Sequence, residues 1–312
     1  MSLDPQWAER RRAIAASRCW ISPVGPRPHW RKAIFNGLLT LFGFGLRLTP
    51  LHARGLRNAL DLRRVELEIA VPGLPPSFDG YRILQLSDTH LDVMPALAGV
   101  ARRLLAGVEV DLLVVTGDVL GRYDASVVLA ADLLMEALRD VRVTGPRLAI
   151  LGNHDPVEMV ATLEARGFDV LINRSRLIEK KGEKGGDVVR IVGLDDVHNF
   201  YTEAAHATFT DHAGECRIAL VHSAEMADVA AAAGCALYLA GHTHGGQICL
   251  PGGRPVVTQL KCCKHAAVGL WREGAMTGYT SAGLGVSDPP VRFNCRGEVT
   301  IFTLRCADTG AG

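Results

Sequence analysis

The 312-residue sequence lacks several features that would have settled its class at once. Its eight cysteines contain no CxxC pair and no regular spacing, so neither a disulfide framework nor a zinc ribbon is encoded. No internal repeat or low-complexity tract is present, and no lysine follows a glycine-rich turn in the P-loop pattern. A strong basic excess is also missing. The net charge is +1, which argues against a nucleic-acid partner. Residues 33–46 form the longest apolar stretch of the N-terminal part. As a helix they would reach about 21 Å, short of a hydrocarbon core of roughly 30 Å.

The charge that is present is unevenly placed. Residues 1–66 carry twelve Lys and Arg against four Asp and Glu, and the remainder carries 22 against 29. Residues 1–63 therefore read as a basic N-terminal arm around the apolar segment 33–46, which contains Phe35, Leu38, Leu41, Phe42 and Phe44. The favoured expectation is an interfacial segment. Its apolar side chains would enter the headgroup boundary of an anionic membrane while Arg27, Arg31, Lys32 and Arg47 meet phosphates. A helix packed on the main domain is the alternative. Cleaved export is less favoured, because Arg10-Arg11-Arg12 lies far upstream of the apolar run. The expected location is cytoplasmic, peripheral at the inner membrane.

The main domain spans 64–306, with a short tail at 307–312. Alternation over 65–71 predicts a half-buried strand. Strands at 82–86, 112–116 and 148–151 are each followed by a loop and a helix, near 94–106, 125–138 and 157–165. A hairpin around 181–187, strands at 217–221 and 237–240, a helix near 224–233 and a last strand at 298–304 complete the second half. Two β-rich halves with helices outside predict a four-layer α/β/β/α sandwich.

Five short motifs end five of these strands, where open α/β sheets place their sites. They are Asp88-Thr89-His90, Gly117-Asp118, Gly152-Asn153-His154-Asp155, His222 and Gly241-His242-Thr243-His244. In extended backbone, residues two apart share a face, so Asp88 with His90 and His242 with His244 are each placed to bind one ion. Asp118 has two oxygens with which to bridge two cations. Asn153 offers a neutral oxygen. His154 is the candidate proton donor, with Asp155 to orient its other ring nitrogen. Singly each motif reads as a turn or a core histidine. Fold stability does not require the whole set together. Imidazole and carboxylate without thiolate suit two divalent transition metal ions, Mn, Fe or Zn.

In this order the motifs resemble the calcineurin-like metallophosphoesterase family over residues 65–306. The resemblance implies that Asp88, His90, Asp118 and His244 hold one metal, that Asp118, Asn153, His222 and His242 hold the other, and that His154 is the acid. The run from Gly241 to Gln247 and the tail residues Gly283 to Gly285 and Pro290 to Phe293 are similar to a bacterial membrane-associated phosphodiesterase branch. That branch includes a UDP-2,3-diacylglucosamine pyrophosphatase. The proline that many members carry two residues after the fourth-motif histidine is absent here, where His222-Ser223-Ala224 stands.

The implied activity is hydrolysis of a phosphodiester or pyrophosphate bond by metal-activated hydroxide, on a lipid-linked or membrane-proximal phosphoester. A nuclease or cyclic-nucleotide phosphodiesterase is the alternative enzyme. A non-catalytic metal-binding scaffold is the alternative from another class, disfavoured by the intact His154. The Asp195-Asp196 pair is read as a turn beside the site. His198, His206 and His212 are read as solvated, and the vicinal Cys262-Cys263 pair as structural.

Overall fold

The structure is a computed structural model that describes residues 5–17, 19–182, 185–210 and 215–307. The chain opens with helix α1 (Pro5–Ala16), a hairpin of β1 (Cys19–Ser22) and β2 (Gly25–Pro28), and helices α2 (His29–Arg47) and α3 (Pro50–Leu60). Residues 5–63 are not a detached arm. Trp7 and Arg11 of α1 are buried on the main domain, and the hairpin reaches it through Ile21, whose N–H donates to Asn199 O. At Gly55 of α3, an added Cβ would meet Val291 and Phe293 within 3 Å, so only glycine permits this approach. Among the described residues no single helix is long and apolar enough to cross a membrane. The pair 33–47 and 50–60 passes together but is bent by 107°.

The first half of the domain contains β3 (Arg63–Val71), β4 (Arg82–Leu86), α4 (Ala96–Leu104), β5 (Glu109–Val110), β6 (Leu112–Thr116), α5 (Val127–Ala137), β7 (Arg142–Val143), β8 (Arg147–Ile150), α6 (Glu158–Glu164) and β9 (Asp169–Val170). The α5 helix starts at Ser126, whose Oγ accepts the Leu129 N–H and so satisfies one of the amides left open in a first turn. The second half adds β10 (Arg174–Gly182), β11 (Gly185–Gly193), α7 (Glu203–Thr210), β12 (Cys216–Leu220), α8 (Ala227–Ala232), β13 (Leu237–Ala240), β14 (Gly269–Glu273), β15 (Met276–Thr280) and β16 (Glu298–Cys306).

The strands form two six-stranded mixed sheets, ordered β3-β16-β4-β6-β8-β9 and β10-β11-β12-β13-β15-β14, beside the small β5-β7 pair. Alternation along each strand assigns its two faces. Ile83, Val114 and Leu148 face Ile191, Ile218 and Leu239 between the sheets. Leu84, Leu86 and Val115 pack outward on Leu97 of α4, Leu134 of α5 and Leu163 of α6. The second sheet turns Val192, Ala219 and Tyr238 onto Phe209 of α7 and Ala227 of α8. Helix, sheet, sheet and helix thus stack in four layers, as the strand rhythm predicts. All five residues of β6 are buried because both its faces are covered. Gln85 is a polar link between the sheets: its Nε2 donates to Thr116 Oγ1 and, across the interface, to Ala240 O.

Candidate metal centre

The loops after β4, β6, β8, β12 and β13 converge at one edge of the sandwich and bring all seven candidate ligands together. They do so in an unexpected backbone conformation. Asp88 (φ 48°), His90 (φ 38°), Asp118 (φ 55°), His242 (φ 71°) and His244 (φ 51°) are left-handed, not extended. The shared direction of each i, i+2 pair therefore comes from two sharp kinks and not from strand alternation. Such backbone costs about 1–3 kcal/mol per residue and persists where the surroundings fix it. The surroundings here are tight. A Cβ at Gly241 would overlap Ser87 Oγ and Asp88 Oδ2, and one at Gly152 would overlap Asp118 Oδ1. These two glycines let the metal loops approach one another.

Asp88, His90 and His244 form one cluster of potential ligand atoms, and Asp88, Asp118 and His222 another. Asp88 belongs to both, but its carboxylate is also held by Ser87 Oγ (2.7 Å) and the His242 N–H (2.9 Å). Asp118 faces two of the histidines. Its Oδ2 lies 3.4 Å from His222 Nε2 and 3.6 Å from His90 Nε2, while Oδ1 accepts the His154 N–H at 2.8 Å. Asn153 Oδ1 is 3.2 Å from His222 Nε2, and the His242 ring stands edge-on to His222 at 5.1 Å.

The chemistry of this set fits cations. The Nδ1 of His90 lies 2.9 Å from Leu120 O and that of His222 2.8 Å from Thr116 O, so each Nδ1 carries a proton and each Nε2 is turned into the site. Both Nε2 atoms face Asp118 Oδ2, and His222 Nε2 also faces Asn153 Oδ1. Burial would lower His222, but the Asp118 carboxylate outweighs it and raises the ring well above the ordinary imidazole range, so this pocket favours a positive charge, which a metal ion held there would supply in place of the proton. His90 Nε2, His242 Nε2 and His244 Nδ1 are buried without a hydrogen bond. Burial, reinforced by neighbouring histidines, holds His242 and His244 well below the ordinary imidazole range, in the neutral state that ligates metal. Burial alone would raise Asp118, but His222 and His154 outweigh it and keep the carboxyl ionised.

His154 stands at the rim, its Nδ1 2.8 Å from Gly121 O and its ring stacked on Tyr123 at 4.9 Å. Asp155 does not orient it, contrary to expectation. The Asp155 carboxylate accepts the N–H groups of Asp118 (2.8 Å), Leu120 (2.9 Å) and Gly152 (2.9 Å), tying the second motif to the third. Burial, then the Asp118 charge, pushes its carboxyl up to about 6.

Other expectations are also corrected. His198 is buried, not solvated: Nδ1 lies 2.9 Å from Glu225 Oε2, and its ring is 3.9 Å from that of His242. His206 is exposed on α7, and His212 lies outside the described residues. Arg27 does not face lipid, since its guanidinium bonds His198 O and Gln259 O. The side chains of Arg31 and Lys32 lie outside the described residues, and Arg47 is exposed.

Two residues beneath the site lie outside the five motifs. Arg11 of α1 pairs with Asp195 and donates to Gly152 O (2.8 Å) and Asp155 O (2.9 Å), so α1 braces the loop that holds Asn153 and His154. Arg292, fully buried, donates to His244 O, Ala282 O and Gly285 O. It links the fifth motif to the loop at 282–285.

The family model of the calcineurin-like phosphoesterases matches residues 81–246, the span that holds all seven candidate ligands. The chain belongs to that family. Metallophosphoesterase YkuE of Bacillus subtilis is 32% identical over 241 residues, 74% of this chain and 82% of its own. Phosphodiesterase YaeI of Escherichia coli is 30% identical over 234 residues, 72% and 82% of the two chains. A Bos taurus transmembrane protein with a metallophosphoesterase domain is 29% identical, over 83% of this chain and 61% of its own. As a calcineurin-like phosphoesterase the protein is a metal-dependent hydrolase, and its two ligand clusters are where divalent metals fit.

Proposed function

We propose that this phosphoesterase hydrolyses a phosphodiester or pyrophosphate bond of a lipid-linked or membrane-proximal substrate, docked peripherally on an anionic membrane. Asp88, His90, Asp118 and His244 would hold one divalent transition metal ion, and Asp118, Asn153, His222 and His242 the other. When bound, such ions polarise phosphoryl oxygens and make water acidic enough to attack at neutral pH. The remaining work falls to the protein. Gly121 O fixes the His154 ring through Nδ1–H, so Nε2 is the nitrogen that passes a proton to the leaving oxygen. Asp155 and Arg11 hold the backbone on which His154 and Asn153 ride.

The observation that carries the hydrolytic reading is the Asp118 oxygen set between His90 and His222. The membrane part draws on α2. Ile34, Leu38, Leu41 and Phe44 stand between 57% and 68% exposed on that helix, an apolar stripe open mostly to solvent. Metal-reconstituted protein should hydrolyse bis-p-nitrophenyl phosphate faster than the corresponding monoester, and should sediment with vesicles containing phosphatidylglycerol. A preference for the monoester would sink the diesterase reading. Equal binding to neutral and anionic vesicles would remove the electrostatic part of the docking.

A further inference from the structure

Helix α2 is apolar on both sides, and its two sides meet different surroundings. Ile34, Leu38 and Leu41 are mostly exposed to solvent. Phe35, Leu39 and Phe42, at i, i+4 and i+7, form instead one wall of a cleft whose other wall includes Val256 and Val257. The cleft ends on His242 and His244 of the metal centre. Its volume is about 240 Å³, well beyond the 30 Å³ or so of a water molecule. Its buried polar side chains, Gln247 and Thr243, already have partners, while Gln259 and Asp288 are exposed. Gln247 Nε2 donates to Ser287 O and Pro289 O, its Oε1 accepts the Ser287 N–H, and Thr243 Oγ1 donates to Ala267 O. Among the buried side-chain atoms of its lining residues, those without a partner are His242 Nε2 and His244 Nδ1. Both belong to the metal end. Apolar surface stays uncovered elsewhere: Phe42 is 46% exposed, Val257 42% and Val256 60%.

A cleft with phosphate chemistry at one end and unsatisfied apolar walls behind it matches an amphiphile whose charged group and hydrocarbon chain are adjacent. We propose that it is the site for the hydrocarbon chain of the substrate, a phosphodiester or pyrophosphate esterified to a lipid. The inference rests on the phosphoesterase reading above and adds where the chain lies. Because α2 forms a wall of the cleft and turns its other side outward, the same helix that meets the bilayer guides the chain toward the metals. The loop bearing Val256 and Val257 is the opposite jaw. An anchor remote from the site would leave chain length without effect on turnover.

The test uses methyl and octyl p-nitrophenyl phosphate, diesters with one leaving group, below their micelle concentrations and without vesicles. With the full-length, metal-reconstituted protein, octyl should exceed methyl at least tenfold in kcat/KM, mainly through KM. Each buried methylene is worth about fourfold. Leu39→Glu and, separately, Val256→Glu should drive that octyl-to-methyl ratio toward one. Val256 is exposed enough that folding is not at stake, and a melting curve checks Leu39→Glu. In parallel, octyl phosphate should bind the chelator-treated protein with a negative heat-capacity change, methyl phosphate should not, and Val256→Glu should weaken the binding.

Equal kcat/KM for the two diesters, or a ratio indifferent to both substitutions, overturns the proposal. So does a concentration-dependent dimer that Val256→Glu dissolves without touching chain-length preference, since a second copy would then fill the cleft. If neither diester is hydrolysed yet octyl phosphate binds in a Val256-dependent manner, the hydrolase reading fails and the chain site stands.

Discussion

At the scale of single residues, the five motifs were legible because each combines two local signals, a buried strand and a polar residue type at its end. The seven ligand candidates and His154 could be named from those signals. Backbone conformation at five of them could not, since left-handed φ at Asp and His depends on the loops pressing together and not on the residue itself. Nor could the partner of Asp155, because its acceptors are matched to amides 35 and 37 residues away. The two neighbours in the third motif should therefore fail differently. His154→Ala should leave metal content intact and slow turnover by about 10²–10⁴-fold for a leaving group that needs a proton, with a smaller loss for p-nitrophenolate. Equal losses on good and poor leaving groups would remove its role as the acid. Asp155→Asn replaces acceptor capacity with an amide donor facing N–H groups. It should cost about 1.5–3 kcal/mol for each charged hydrogen bond lost, read as a lower melting temperature together with lower metal content. A normal melting curve with a changed pH profile would restore the orienting role instead.

At the scale of elements, strand and helix positions followed from periodicity, while the assignment of α1 did not. The side chains of Trp7 and Arg11 find Asp195 only after the chain has folded, 188 and 184 residues apart. A triple-arginine run near a chain start invites a targeting interpretation, yet its middle member is buried under the catalytic loop. Arg11→Met should leave the buried Asp195 charge unpaired and cost about 3–5 kcal/mol. It should also lower turnover through the Gly152 and Asp155 carbonyls, and unchanged melting and turnover would show that α1 does not brace the loop. For the same reason, deleting residues 1–60 is a poor test of membrane docking, because it would remove this brace as well. Replacing Leu38, Leu41 and Phe44 with Gln alters only the exposed stripe. Sedimentation with anionic vesicles should fall while hydrolysis of bis-p-nitrophenyl phosphate in solution is retained. Full vesicle binding by that variant would exclude α2 as the docking element.

At the scale of the whole molecule, the four layers serve to bring five strand ends to one edge, and the order of the motifs in the sequence reflects the order of the strands. The buried His198–Glu225 pair shows what remained hidden: a polar loop and a helix start, 27 residues apart, close behind His242 only in the assembled second sheet. Ligands that bind only the folded state stabilise it by mass action. Chelation should thus lower the melting temperature of the whole domain, and a transition indifferent to chelator would mean the loops are set without metal. Whether Asp118 would serve both ions is tested most directly by metal content measured with turnover. Purified, reconstituted protein should hold two divalent ions per chain and hydrolyse bis-p-nitrophenyl phosphate. Asp118→Asn should lose at least one ion and at least about 10²-fold in kcat. A variant that keeps both ions and full turnover would contradict the bridged centre.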